Sequence, residues 1–356
     1  MHFPSDRRFL QRKDWYIAMT PRERVLAAFR FEPTDRFPLD IMENNVWPTL
    51  MRYFQQHYGF SNKEEVLNHL GCDTRWLVFG PRGKKINTVD DNLRVDETFS
   101  STVARPLDGV ETVEELQKRF CPQVSDIDFP DFKKERELHP DHAIVFCPVW
   151  MPLFSGACNA FGMEEAMINL YEAPELIDAY LEIQTNYAIS VFETGLKNGG
   201  AEYCDFAWMG DDFCDNRGPM LSPALWREKF KPHLARIAAA VKKYNIPLLF
   251  HSCGSVEQFI PDLIEIGVNG LCVVQTSANN MKLADLAEKY RNQIVFWGAV
   301  DAQQVLPKLP PEEVKAEVLR NMALFPSGGY VVANSHHSMP DITGENIEAM
   351  CRAVTG

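Results

Sequence analysis

Short apolar runs alternate with amphipathic stretches along most of this chain, and the runs repeatedly end in polar residues. The clearest case is residues 246–254, I-P-L-L-F-H-S-C-G, where an apolar run stops abruptly at His251 and Cys253. That is the pattern of a buried parallel strand delivering polar groups at its carboxyl end. Seven other segments read as strands: residues 36–41 first, 74–80 second, 143–150 third, 202–209 fourth, 269–275 sixth, 293–301 seventh and 329–335 eighth, with 246–251 as the fifth. The intervening segments carry helical spacing. The first helix opens with Thr20, Pro21 and Glu23, a capping box with proline at the first helical position, and runs through Val25, Leu26, Ala28 and Phe29.

Eight strands alternating with helices predict an α/β fold, a (β/α)8 TIM barrel. A doubly wound open sheet would carry a glycine-rich phosphate loop after its first strand, and D-I-M-E-N-N has no glycine. Two segments depart from the alternation. Residues 82–110 carry a period of two between turn formers, which predicts a β-hairpin inserted after the second strand and over the site. Residues 1–18 read as an N-terminal helical extension, leaving residues 19–356 as a single barrel domain.

In a barrel of this kind the active groups project from the carboxyl ends of the strands. Those ends hold Glu43 and Asn44, Trp150 and Met151, Asp211 and Asp212, His251 and Cys253, Gln275, Asp301, and His336 and His337. Nearly all are polar or able to hold a metal. His251 and Cys253 are two apart, so on an extended chain both side chains share a face, and an imidazole with a thiol suits zinc. Plainer roles exist for several of the others. Either aspartate of the 211–212 pair can cap the segment before Asn216, Asp301 can cap the turn at Ala302, Gln275 can satisfy backbone groups at the mouth, and His337 can stand behind the site rather than in it.

Composition narrows the class further. The chain has 356 residues, 46% of them hydrophobic, enough for one large core or two ordinary ones. An apolar run long enough to span a membrane is lacking, and the basic amino terminus is not followed by a signal-like stretch, so a cytoplasmic protein is expected. Nine irregularly spaced cysteines suit a reducing compartment. A formal charge of −13 disfavours nucleic acid as a partner.

From about Met19 onward the chain resembles the uroporphyrinogen decarboxylase superfamily, which also contains zinc-dependent, corrinoid-linked methyltransferases. The residues that carry the resemblance are M-T-P-R-E-R-V-L-A-A-F at 19–29 followed by D-R-F-P, the aspartates of W-M-G-D-D-F, L-S-P-A-L-W at 221–226, and H-S-C-G at 251–254. It continues through I-P-D-L-I-E-I-G-V, V-Q at 274–275, G-A-V-D at 298–301 and P-D-I-T-G-E-N-I at 340–347.

The resemblance implies a barrel with a deep site at its mouth. The decarboxylases are similar to one another in an R-Q-A-G-R loop after the first strand, whose arginine meets substrate carboxylates. Here the corresponding loop is I-M-E-N-N-V-W, with an acid and no arginine. The methyltransferase branch resembles this chain in its H-x-C and commonly adds a cysteine after the eighth strand, where this chain has His336. The implied zinc ligands are therefore His251, Cys253 and His336. Asp211 and Asp212 would orient the reacting species or shuttle a proton, and Glu43, Asn44, Trp150, Gln275, Asp301 and His337 would surround a small methylated substrate. The implied partner is a separate protein carrying a corrinoid (cobalamin), and a homodimer is compatible with the same reading. Two alternatives stay open: a metal-free uroporphyrinogen decarboxylase using an aspartate and His336, and a barrel that binds a small ligand or corrinoid without turnover.

Overall fold

Seven parallel strands lie side by side in chain order in the computed structural model, which describes residues 18–82, 105–148 and 153–356. They are β1 (Thr74–Phe79), β2 (Ala143–Pro148), β3 (Phe206–Gly210), β4 (Leu248–His251), β5 (Gly270–Cys272), β6 (Val295–Val300) and β7 (Tyr330–Asn334). Almost every strand residue is buried, as expected where both faces of a parallel sheet are covered. Successive side chains take opposite faces. Ile144, Phe146, Ala207, Met209 and Phe296 pack outward under the helices, whereas Val145, Cys147, Phe206, Trp208, Val295 and Trp297 fill the interior. Trp76 stands edge-on to both Trp208 and Trp297, with ring centroids 6.2 and 5.9 Å apart.

These strands correspond to the second to eighth predicted ones and form a curled α/β barrel of the TIM type. The first predicted strand is reduced to a stave. Pro38 has no N–H to give to a ladder, and only Leu39 bridges to Val332. Three backbone hydrogen bonds nonetheless tie this stave into the wall. Asp40 N donates to Val332 O (2.9 Å), Val332 N to Pro38 O (2.9 Å) and Asp73 N to Leu39 O (2.7 Å), so it links β7 to β1.

Asp40 points into the barrel and is fully buried. One carboxyl oxygen accepts from Asn44 Nδ2 (3.0 Å) and the Thr74 hydroxyl. The other accepts from the indoles of Trp76 (3.0 Å) and Trp297 (2.9 Å). Burial pushes the Asp40 carboxyl up to about 7, against the pull of these donors. The opposite end of the barrel is covered by α1 (Pro21–Phe29), which the Thr20–Glu23 capping box starts as expected. Its Val25 joins the interior cluster, and Phe29 packs 4.5 Å from Phe206.

Other expectations need correction. The fourth strand begins at Phe206 rather than residue 202, because Ala201–Tyr203 is still helical. The helix expected from Ser222 to residue 244 breaks at Phe230, and Pro232 sits in the first turn of the second piece. Of the expected inserted hairpin, residues 83–104 lie outside the described residues, as do 1–17 of the extension. Residues 106–109 form a turn, as the turn formers flanking the alternating segment imply, with Leu107 and Val110 in the outer core. Among the described residues no helix is long and apolar enough to cross a membrane.

Candidate metal centre

β3 and β4 pair in a register that sets Gly210 opposite His251. Two residues farther along each chain, the same register brings Asp212 beside Cys253, and Asp212 Oδ1 accepts a hydrogen bond from Cys253 N at 2.7 Å. His251 Nε2 lies 3.7 Å from Asp212 Oδ1 and 3.4 Å from Cys253 Sγ. One donor atom from each of Asp212, His251 and Cys253 falls within 4.8 Å of the other two. Zinc bonds of ~2.0–2.3 Å in tetrahedral geometry require donor–donor edges of about 3.3–3.8 Å. The two measured edges fall in that range, so an imidazole, a thiol and a carboxylate here fit a borderline-soft dication.

Electrostatics agrees with this fit. Burial lowers the His251 imidazole below its usual range, with Asp212 and Glu43 pulling the other way, so at neutral pH the ring is uncharged and has a lone pair to offer. Burial pushes the Cys253 thiol up, and the Asp212 and Glu43 carboxylates push it further. A bound cation reverses that balance, since it stabilises the thiolate.

The loop that carries these donors is strapped down. Gly254 has φ +86°, and a Cβ on it would stand 2.6 Å from Asp215 O. Ser255 N donates to Asp215 O (2.9 Å), while Gln275 accepts from Gly254 N (2.8 Å) and donates to Asn216 (2.5 Å). Gly254→Ala is expected to cost about 2–3 kcal/mol of stability and at least tenfold in metal affinity, read from urea melts and competitive zinc titration.

His336 and His337 follow β7, across the mouth from this loop. His336 stands outside the group of three donors and lines a separate cavity. Burial, with His337 and His251 nearby, lowers its imidazole to about 4, so it is neutral at physiological pH. His337 Nε2 pairs with Glu43 Oε2 at 3.0 Å. Glu43 follows the first stave in the left-handed region (φ 55°), which turns its carboxylate into the mouth. Burial would raise Glu43, but the hydrogen bond and charge of His337 prevail and hold it below the usual carboxylate range. Asn334 braces the two turns: its Oδ1 accepts from Met42 N (3.0 Å) and its Nδ2 donates to His336 O.

The remaining expected site residues have bonds within the fold. Asp211 is buried and caps α2 (Phe154–Phe161), accepting from Phe154 N (2.8 Å), Ser155 N (2.9 Å) and the Ser155 hydroxyl (3.0 Å). Burial raises its carboxyl to about 7 despite those donors. Asn44 is buried, bonded to Asp40 and accepting from Trp76 N at 3.0 Å. Asp301 caps the turn after β6 through the amides of Gln303 (2.6 Å) and Gln304 (3.0 Å). Trp150 lies outside the described residues. Sequence reasoning gave Asp212 a proton-handling role; the register of β3 on β4 sets one of its carboxylate oxygens beside His251 and Cys253, where it could also serve as a donor. The same reasoning missed Asp40 and Asn334, whose only trace is a polar residue inside or at the end of an apolar run.

A family model described as uroporphyrinogen decarboxylase (URO-D) matches residues 150–356, more than half of the chain. The chain belongs to the uroporphyrinogen decarboxylase family. Curated relatives include the uroporphyrinogen decarboxylase of Xanthomonas axonopodis pv. citri, 26% identical over 194 residues that make up 52% of this chain and 51% of the relative. That of Xanthomonas euvesicatoria pv. vesicatoria is 25% identical over the same shares. The chain thus spans about half the length of the curated relatives it matches. Among solved structures, a methyltransferase from Methanosarcina mazei shares the fold with a TM-score of 0.67 at 21% identity, covering 94% of this chain and 98% of its own. URO-D members and this methyltransferase therefore use one barrel, and the chemistry has to be argued from the mouth.

Proposed function

We propose that this URO-D family protein is a zinc-dependent methyltransferase that moves a methyl group between a small methylated substrate and a corrinoid carried on a partner protein. The observation that carries this reading is the convergence of Asp212, His251 and Cys253, three donors of types zinc accepts, with two of their edges at tetrahedral lengths, on one loop pair. Three protein donors leave a fourth position for substrate, the arrangement of a catalytic rather than structural site. The barrel shared with the Methanosarcina mazei methyltransferase supports it.

When bound, zinc supplies a Lewis acid that stabilises charge on the heteroatom gaining or losing methyl. The chain's own groups do the rest. His251 would hold the ion through a lone pair, and Cys253 through its thiolate. Asp212 fixes the Cys253 backbone through its N–H while offering a carboxylate oxygen. Across the mouth, Glu43 holds His337 in place, and proton exchange with the substrate heteroatom is the role this reading gives that imidazole.

A second reading, porphyrinogen decarboxylation, is favoured by the names of the curated relatives. It meets a physical obstacle at the mouth. A polycarboxylate needs cations there, yet among the described residues the principal charges acting on Glu43, His251, Cys253 and His336 come from one another, His337 and Asp212. Metal analysis and a transfer assay separate the two. About one zinc per chain and methyl transfer to free cob(I)alamin from methoxylated or methylated compounds, abolished by chelation and restored by zinc, are expected. Carbon dioxide release from a porphyrinogen by metal-free protein would overturn the proposal.

A further inference from the structure

A cavity of about 220 Å³ opens beside the donor cluster, lined by Gln275, Ala302, Gln303, Ser335, His336 and Met339. It sits between the carboxyl ends of β5, β6 and β7. Its wall nearest the cluster is Gln275, which accepts from the amide of Gly254, the residue after Cys253. On the other side the cavity is closed by His336, which follows β7. Gln275 is therefore shared between the cavity wall and the loop that carries Cys253.

The lining is polar without being ionic. Among the described residues it offers two carboxamides, a hydroxyl, an imidazole, a thioether and a methyl group, with no lysine, arginine, aspartate or glutamate. Much of this polarity is already committed. Ser335 Oγ accepts from Ala302 N (3.0 Å), Gln275 is bonded at both ends, and Gln303 Oε1 accepts from Ser277 (3.3 Å) and Asn216 (3.4 Å). What Gln303 presents to a ligand is its amide N–H2, a donor. Met339 and Ala302 add an apolar, polarisable wall. An ammonium or carboxylate entering would lose hydration and find no counter-charge, whereas an uncharged body with an accepting oxygen would lose little. As to size, a cavity of about 150 Å³ takes a benzene ring, so this one takes a ring with a few further atoms.

We propose that this cavity selects the substrate, and that the methylated substrate is a neutral single-ring or similarly sized compound with an ether or hydroxyl oxygen, rather than a methylated ammonium or a carboxylate. The proposal rests on the methyltransferase reading for what happens to that substrate, but the cavity's choice can be measured without turnover.

Calorimetric titration of the purified full chain, as isolated and after chelation, with three probes of similar size makes the test: 2-methoxyphenol, phenyltrimethylammonium and 4-methoxybenzoate. Expected is binding of 2-methoxyphenol at least about tenfold tighter than either ion, retained after chelation. Met339→Trp, which fills the cavity, is expected to weaken that binding at least tenfold with zinc content unchanged. Gln303→Glu, at the exposed rim, should move the preference toward the ammonium probe even if the tryptophan variant fails to fold. Equal or tighter binding of either ion, or no shift on Gln303→Glu, overturns the proposal. Selective binding by a protein that holds no zinc and transfers no methyl group would instead count against the methyltransferase reading alone.

Discussion

Cys253→Ala is expected to abolish stoichiometric zinc, from about one ion per chain to an amount set by at least a hundredfold weaker affinity, while leaving the protein folded. The thiol is the softest of the three donors and contributes a full negative charge once the ion is bound, so its loss removes both a bond and half the charge neutralisation. Even partners that merely orient a ligand are worth about 10–100-fold in affinity, and a direct donor is worth more. Folding should survive because Cys253 is not part of the buried interior proper, packing against it only at the rim. Asp212→Ala and His336→Ala complete the experiment. If Asp212 is the third donor, its removal lowers affinity comparably, whereas His336→Ala leaves zinc in place. The reverse outcome would restore the ligand set that the family resemblance implies. Elemental analysis and competitive titration read all three.

Asp40→Asn is expected to destabilise the barrel by about 2–4 kcal/mol at pH 5, the largest effect foreseen for a residue distant from the candidate metal centre. Two indoles, an amide and a hydroxyl all point hydrogens at this carboxyl group. A protonated carboxyl can pass its single hydrogen to the Thr74 hydroxyl and still accept from the rest. Asparagine brings two hydrogens to a place already filled with donors. The pH dependence follows from the raised carboxyl, pushed by burial to about 7 from an ordinary value of 3.8. Its stabilising contribution is complete below about pH 4 and is lost as pH rises through about 7. The amide has no such dependence, so the deficit of the variant should shrink between pH 5 and pH 8. Urea unfolding at the two pH values measures it, and a deficit that grows with pH would refute the assignment.

Most of the barrel was legible because a parallel strand covered on both faces must be apolar along its whole length, and seven such runs are uninterrupted enough to stand out. The first stave was less so: Pro38 and Asp40 interrupt it, and it survives as a bridge because its neighbours supply the bonds. The start of the fourth strand was misplaced because Glu202 and Tyr203 carry no periodic signal that separates a helix end from a strand start. At the site, the shared face of His251 and Cys253 follows from a spacing of two, which is a local property. The approach of Asp212 depends on how β3 registers against β4, which no local pattern encodes. Likewise a histidine at the end of β7 could be recognised as belonging to the mouth, but not how far it stands from a loop three strands away.

The stave also marks where this cylinder is weakest. The six paired positions of β1 and β2 make a long ladder; at the seam between last and first strands there are one bridge, the three backbone hydrogen bonds of the stave and the Asn334 brace. Low-energy fluctuations begin where cross-links are fewest, so amide hydrogens near Asp40 and Met42 should exchange with solvent ahead of those in β2 or β6. Each such opening would carry the Glu43 carboxylate away from His337, so a break in one wall of the vessel would briefly take apart one half of its chemistry.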